Sequence, residues 1–178
     1  MHRSREAGRI HMDNHSSRPG DFKRYVAMGT TFVTIDDTNG FWMRDGILEL
    51  WLRLLALNIE ESPDEEYLGR TIRDQWLLAS KGYFGGHVPH DLETFANTEH
   101  GRQIIRDAIA SLMSKLKDAP QQLDGPTLDL LGIDGTFVNP FETRRLIEVG
   151  DAFLELMDGK ITSDATSTEF MPGSRLAT

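Results

Sequence analysis

The chain has 178 residues, 39% hydrophobic and 26% charged, the proportions of a soluble globular protein rather than a disordered or fibrous one. Its 28 acidic and 19 basic side chains leave a net charge of -9, which weighs against nucleic-acid or anionic-membrane binding, since both need a basic surface. Cysteine is absent, and with it disulfides, thiolate zinc sites, iron–sulfur clusters and cysteine catalysis.

Residues 1–20 hold four Arg and three His but almost no apolar side chains beyond Ile10 and Met12, too few to offset the entropy of ordering the segment. They lack both the apolar centre of a secretory signal and the apolar face of a transit peptide. Residues 160–178 are rich in Ser, Thr, Gly and Pro. The composition therefore predicts disordered tails over 1–20 and 160–178 around one helical domain over 21–159. The most apolar stretch, 41–59, carries Arg44, Asp45, Glu49 and Arg53, too many charges for a membrane span, and the cytoplasm is the expected location.

Residues 22–35 are the natural strand territory, with Thr31, Phe32, Val33, Thr34 and Ile35 in one β-branched and aromatic run and Gly29 available to turn the chain before it. Residues 36–40 read as a break rich in helix caps. From 41 to 59 the pattern becomes that of a helix apolar on most sides, hence central to its domain, with Asp45, Glu49 and Arg53 as one narrow polar stripe. Ser62, Pro63 and Glu65 form a capping box for a second helix that buries Leu68, Ile72, Trp76 and Ala79 and stops at Lys81 and Gly82. A third helix runs from the cap at Asn97 or Thr98 to about Lys117, burying Ile105, Ala108, Ile109, Leu112, Met113 and Leu116. A short helix over 126–131 closes at Gly132, and Asn139 with Pro140 starts a last helix ending at Met157. The fold class is thus mainly α: a bundle of four long helices with one or two short ones and room for a small N-terminal β-hairpin.

The glycine-rich phosphate loop, the dinucleotide fingerprint, the serine nucleophile elbow and the helical zinc-protease motif are all missing. No cofactor is expected. The most unusual segment is 82–91, where Gly82, Tyr83, Phe84, Gly85, Gly86, His87, His90 and Asp91 concentrate glycine, aromatic and imidazole groups. Such a segment can approach a ligand closely, and His87 with His90 can share an ion if Asp91, Glu93 or His100 joins them. The plainer reading is a connector between helices, and it is favoured. Asp45 and Glu49, one helical turn apart, are a candidate acid–base pair; the favoured reading is a solvated stripe with Glu49 paired to Arg53. Trp42, Trp51 and Trp76 read as core. Arg144 and Arg145 are a weak anion site because adjacent helical side chains diverge, and the basic residues of the third helix are expected to pair within the fold.

Charge is the more informative signal. Residues 118–158 contain nine acidic and two basic side chains, and Glu60, Glu61, Asp64, Glu65 and Glu66 add five carboxylates within seven residues. If both regions share a face, Glu60, Glu61, Asp64, Glu65, Asp124, Asp129 and Asp134 would form an acidic docking surface for a basic protein, as an immunity or antitoxin-like inhibitor has. The plainer reading, a solvated acidic surface that keeps the protein soluble, is favoured. An enzyme or ligand-binding protein using residues 82–91 is the second functional class, ranked behind docking.

Overall fold

A computed structural model describes residues 29–60, 66–82, 84, 86–133, 137 and 139–174. The expected N-terminal tail and the capping box at 62–65 lie outside them.

The described chain is mainly helical with a small N-terminal hairpin. Strand β1 (Thr30–Thr34) pairs antiparallel with β2 (Gly40–Arg44), in the register Phe32 to Trp42 and Val33 to Phe41. Thr31, Val33, Phe41 and Met43 face inward, while Phe32 and Trp42 stack edge to face on the outer side at 5.3 Å. Between the strands Asp36 Oδ1 accepts from the amides of Thr38 (2.9 Å) and Asn39 (2.7 Å), and Asp37 takes a left-handed φ of 62°. The Asn39 amide is the main reason the Asp36 carboxyl falls to about 2. Residues 36–39 are thus a hairpin turn rather than a run of helix caps, and residues 41–44 are the second strand rather than the first helical turn. A short apolar run satisfies both periods, and only pairing with a distant partner decides between them.

Helix α1 (Asp45–Ala56) buries every residue except Arg53. It packs against the hairpin, against α2 (Glu66–Ala79) and against α4 (Glu99–Lys117), so it is the central element its composition predicts. The expected solvated stripe is overturned, for Asp45 and Glu49 are 0% and 2% exposed. Trp51 lies fully buried with its ring 5.5 Å from Phe153, which in turn meets Phe41 at 5.7 Å. Trp42 is not core: its outer-face indole donates from Nε1 to the Ala165 carbonyl (2.9 Å).

Short helix α3 (Leu92–Phe95) follows the segment at 82–91, and α4 starts at Thr98, whose hydroxyl accepts from the Gly101 amide (3.1 Å). Strand β3 (Gln122–Leu123) leads into α5 (Gly125–Leu130), capped by Asp124 and closed by Gly132 at φ 79°. Strand β4 (Phe141–Glu142) pairs with β3, and α6 (Thr143–Met157) begins only after it. Asn139 and Pro140 therefore precede a strand, not a helix. Phe141 is drawn into the core beside Phe137 at 5.0 Å, with the Arg145 guanidinium 4.3 Å above its ring. Its burial is better served by the extended pairing than by an earlier helical turn.

Residues 160–174 are not a free tail. The Gly40 amide donates to the Ser163 carbonyl (2.8 Å), Phe170 meets the Phe41 ring at 5.9 Å, and Arg145 donates to the Gly173 carbonyl. Polar, helix-poor composition fails to predict this because backbone pairing needs no particular side chain. Among the described residues no helix is long and apolar enough to cross a membrane.

Because Trp51 is fully buried at the junction of α1 and α6, Trp51→Ala should destabilise the fold by about 3–5 kcal/mol. Urea unfolding monitored by circular dichroism measures this, and a change within about 0.5 kcal/mol would place the ring at the surface.

Candidate functional site

The two features singled out in the sequence, residues 82–91 and the Asp45–Glu49 pair, meet in space. Gly82 ends α2 with φ 74°, as its sequence position predicts, and Gly86 takes φ 85°. The Gly86 amide donates to Asp45 Oδ2 (2.7 Å), and the Thr31 hydroxyl donates to Asp45 Oδ1 (2.8 Å). The same hydroxyl oxygen accepts from the Val88 amide (2.8 Å). A relay therefore runs from Val88 through Thr31 to Asp45, tying the segment to the hairpin and to the first turn of α1. The approach is close: a Cβ on Gly29 would stand 2.3 Å from Asp45 Oδ2 and 2.5 Å from the Gly86 nitrogen. Only glycine fits there.

Both Asp45 oxygens accept hydrogen bonds, so its burial is compensated by two donors. Glu49, one turn further on, is different. Its Oε1 is buried with no hydrogen-bond partner among the described residues. Burial, and secondarily the Asp45 charge, push the Glu49 carboxyl up to about 7. The expected Glu49–Arg53 pair does not form; Arg53 Nε instead donates to the Leu131 carbonyl (2.8 Å). Chemically, Glu49 is a buried acid able to exchange a proton near neutral pH beside a fixed carboxylate.

The two imidazoles do not converge. His87 is exposed, whereas His90 is buried. His90 Nδ1 accepts from the Leu92 amide (3.2 Å), which leaves the proton on Nε2 to donate to the Phe32 carbonyl (3.1 Å). Burial lowers the His90 pKa, against the opposing pull of that carbonyl and of Glu93 and Asp91. The His90 carbonyl accepts from Trp76 Nε1 (2.8 Å), and Asp91 accepts from Gln75 (2.7 Å). Glu93 Oε2 lies 3.5 Å from His90 Nδ1 and His100 is exposed, but no group of three His, Asp or Glu able to hold a metal exists among the described residues. Phe84 is half-buried, and Tyr83 and Gly85 lie outside the described residues. Thr31 and Gly29 complete the site and were missed by sequence reasoning. The available signal for Thr31 was a hydroxyl at an inward-facing strand position, where a buried polar group needs partners.

Elsewhere several basic side chains among the described residues engage partners within the fold. Arg106 pairs with Asp158 at 2.8 Å, Arg102 donates to the Ala96 carbonyl (2.6 Å), and Lys115 reaches Asn58 Oδ1 (2.6 Å). Arg144 pairs with Glu142 at 2.7 Å while Arg145 turns to Phe141, so the adjacent arginines do not converge on an anion. Glu60, Asp124 and Asp129 are exposed. Glu61, Asp64, Glu65 and Asp134 lie outside the described residues.

Thr31→Val removes the shared hydroxyl at nearly constant shape and leaves Asp45 Oδ1 and the Val88 amide unpaired. It should cost about 2–4 kcal/mol in urea unfolding, whereas Thr31→Ser should cost less than about 1 kcal/mol. Equal losses for the two variants would argue against the relay.

Comparison with protein-family models, with curated proteins and with solved structures finds no match to this chain.

Proposed function

We propose that this chain is a binding protein that docks a basic protein partner through its acidic surface, in the manner of an immunity or antitoxin-like inhibitor. The observation that carries this reading is the bond from Arg53 to the Leu131 carbonyl, which ties the end of α5 to the last turn of α1. One turn beyond Arg53 stands Leu57, 51% exposed, and next to Leu131 stands Leu130, 91% exposed. Exposed Glu60 and Asp129 accompany them, and exposed Asp124 caps α5. Exposed apolar side chains among acidic ones are what an interface for a cationic protein requires: the charge speeds encounter and the leucines supply desolvated contact. The net charge of -9 supplies that field and disfavours a nucleic-acid partner.

A second reading, acid–base or ligand chemistry at Asp45 and Glu49 beneath residues 86–88, is favoured by the buried Glu49 oxygen that lacks a partner. It predicts turnover that Glu49→Gln abolishes.

The docking reading predicts a stoichiometric complex with a protein of high isoelectric point, weakened about tenfold or more when salt rises from about 0.05 to about 0.5 M. Leu130→Asp combined with Asp129→Lys should weaken the same complex about tenfold at low salt while leaving the melting temperature unchanged, because both positions are exposed. Calorimetric titration measures both. Affinity indifferent to salt and to the double substitution would remove the acidic end from the interface.

A further inference from the structure

We propose that Asp45 and Glu49 form a proton-operated latch: with a proton on Glu49, Asp45 holds residues 86–88 against β1, and loss of that proton releases them. This inference is independent of the docking face. It starts from a conflict built into α1. Residues four apart on a helix are neighbours, so the two carboxyl groups share one side of α1, and both are withdrawn from water. Asp45 is committed as an acceptor by Thr31 and Gly86. Glu49 has an oxygen with no donor at all among the described residues. Two adjacent buried carboxyl groups cannot both be charged without a cation or water between them.

No described cation faces the pair. On α1, Arg53 is turned to Leu131, and Arg44, just before the helix, is exposed. On α2, Arg70, Asp74 and the following Lys81 are exposed and Arg73 is half-buried. On α4, Arg106 is engaged by Asp158 and Lys115 by Asn58. In the 86–91 segment His87 is exposed and His90 is spent on Phe32 and Leu92, while Gln75 holds Asp91. The charge acting on Glu49 is that of Asp45, and it adds to burial in keeping the proton on Glu49 until about pH 7.

The yielding part is identifiable. Gly86 is exposed, holds a positive φ and grips the site through one amide on Asp45. Its backbone passes so close to Gly29 that no side chain fastens it there. Val88 is held through the same carboxylate by way of Thr31. When Glu49 ionises, water must reach the pair, and parting Gly86 from Asp45 admits it at the cost of one hydrogen bond. The folded chain binds the Glu49 proton more tightly than an unfolded chain, whose glutamates titrate near 4.5. The latch is therefore closed at mildly acidic pH, and stability drains away as pH rises from about 4.5 through about 7.

Amide hydrogen exchange on the full-length protein tests this, with each rate divided by its intrinsic value at the same pH. Between about pH 6 and about pH 8, protection at Gly86 and Val88 should fall about tenfold in wild type and stay level in Glu49→Gln. Ile105 and Ile109 in α4 report global opening; they should stay better protected than Gly86 and Val88 at every pH, so that exchange at 86–88 reads local release even as overall stability declines over the same range. Pairing this with a carbon-13 titration of the wild-type Glu49 carboxyl keeps the test decisive should Glu49→Gln fail to fold. A midpoint near 7 that coincides with the loss of Gly86 protection supports the latch. A midpoint below about 5.5, a level Gly86 profile in wild type, or an equal fall in Glu49→Gln would overturn it.

Discussion

Asp45 opens the central helix with a carboxylate fully withdrawn from solvent, and much of the surrounding structure is arranged to make that tolerable. A buried charge without partners is costly enough to be excluded from most cores. Here the hairpin supplies a hydroxyl through Thr31, the segment after α2 supplies an amide through Gly86, and the Asp45 amide itself donates to the Gly29 carbonyl (3.0 Å). Two separate stretches of chain, the start of β1 at Gly29 and Thr31 and the segment at Gly86, are thereby fixed to the first turn of α1. Their glycines follow from the same constraint, since backbone must approach the carboxylate where side chains would collide.

Around this polar junction the apolar architecture is simple. Helix α1 offers apolar side chains on nearly every side, and its neighbours cover them in turn, α2 with Ile72 and Trp76, α4 with Ile105 and Ile109, α6 with Phe153. The rings of Phe41, Trp51 and Phe153 join β2, α1 and α6, and Phe170 extends the aromatic contact to the C-terminal segment. Two polar atoms of α1 are left by this cover without a hydrogen-bond partner among the described residues, the Trp51 indole nitrogen and one Glu49 carboxyl oxygen, and of the two only Glu49 can titrate. A carboxyl group held uncharged into the neutral range in that position makes the same helix both a structural centre and a titratable element.

The surface follows a different economy. Arg102, Arg106, Lys115 and Arg145 turn to carbonyls, amides or carboxylates of the fold, whereas Glu60, Asp124 and Asp129 remain in solvent. The net charge of -9 gives the chain a negative field. Leu57 and Leu130 are exposed as well, at 51% and 91%.

Sequence alone determined the helical class, the central place of the stretch containing Trp51, the buried stripes of α2 and α4, the stop at Gly82 and the stop of α5 at Gly132. All of these rest on periodicity and on local backbone preferences, which act within a few residues. It also singled out both halves of the candidate site without joining them. Only tertiary structure decided that Asp45 and Glu49 are buried, because two carboxylates at helical spacing look alike on a solvated stripe and beneath a covering segment. The second hairpin strand at Phe41, the β3–β4 pairing ahead of α6 and the docking of residues 160–174 were decided in the same way. Each depends on hydrogen bonds between backbone groups far apart in the chain, and backbone groups are the same in every residue.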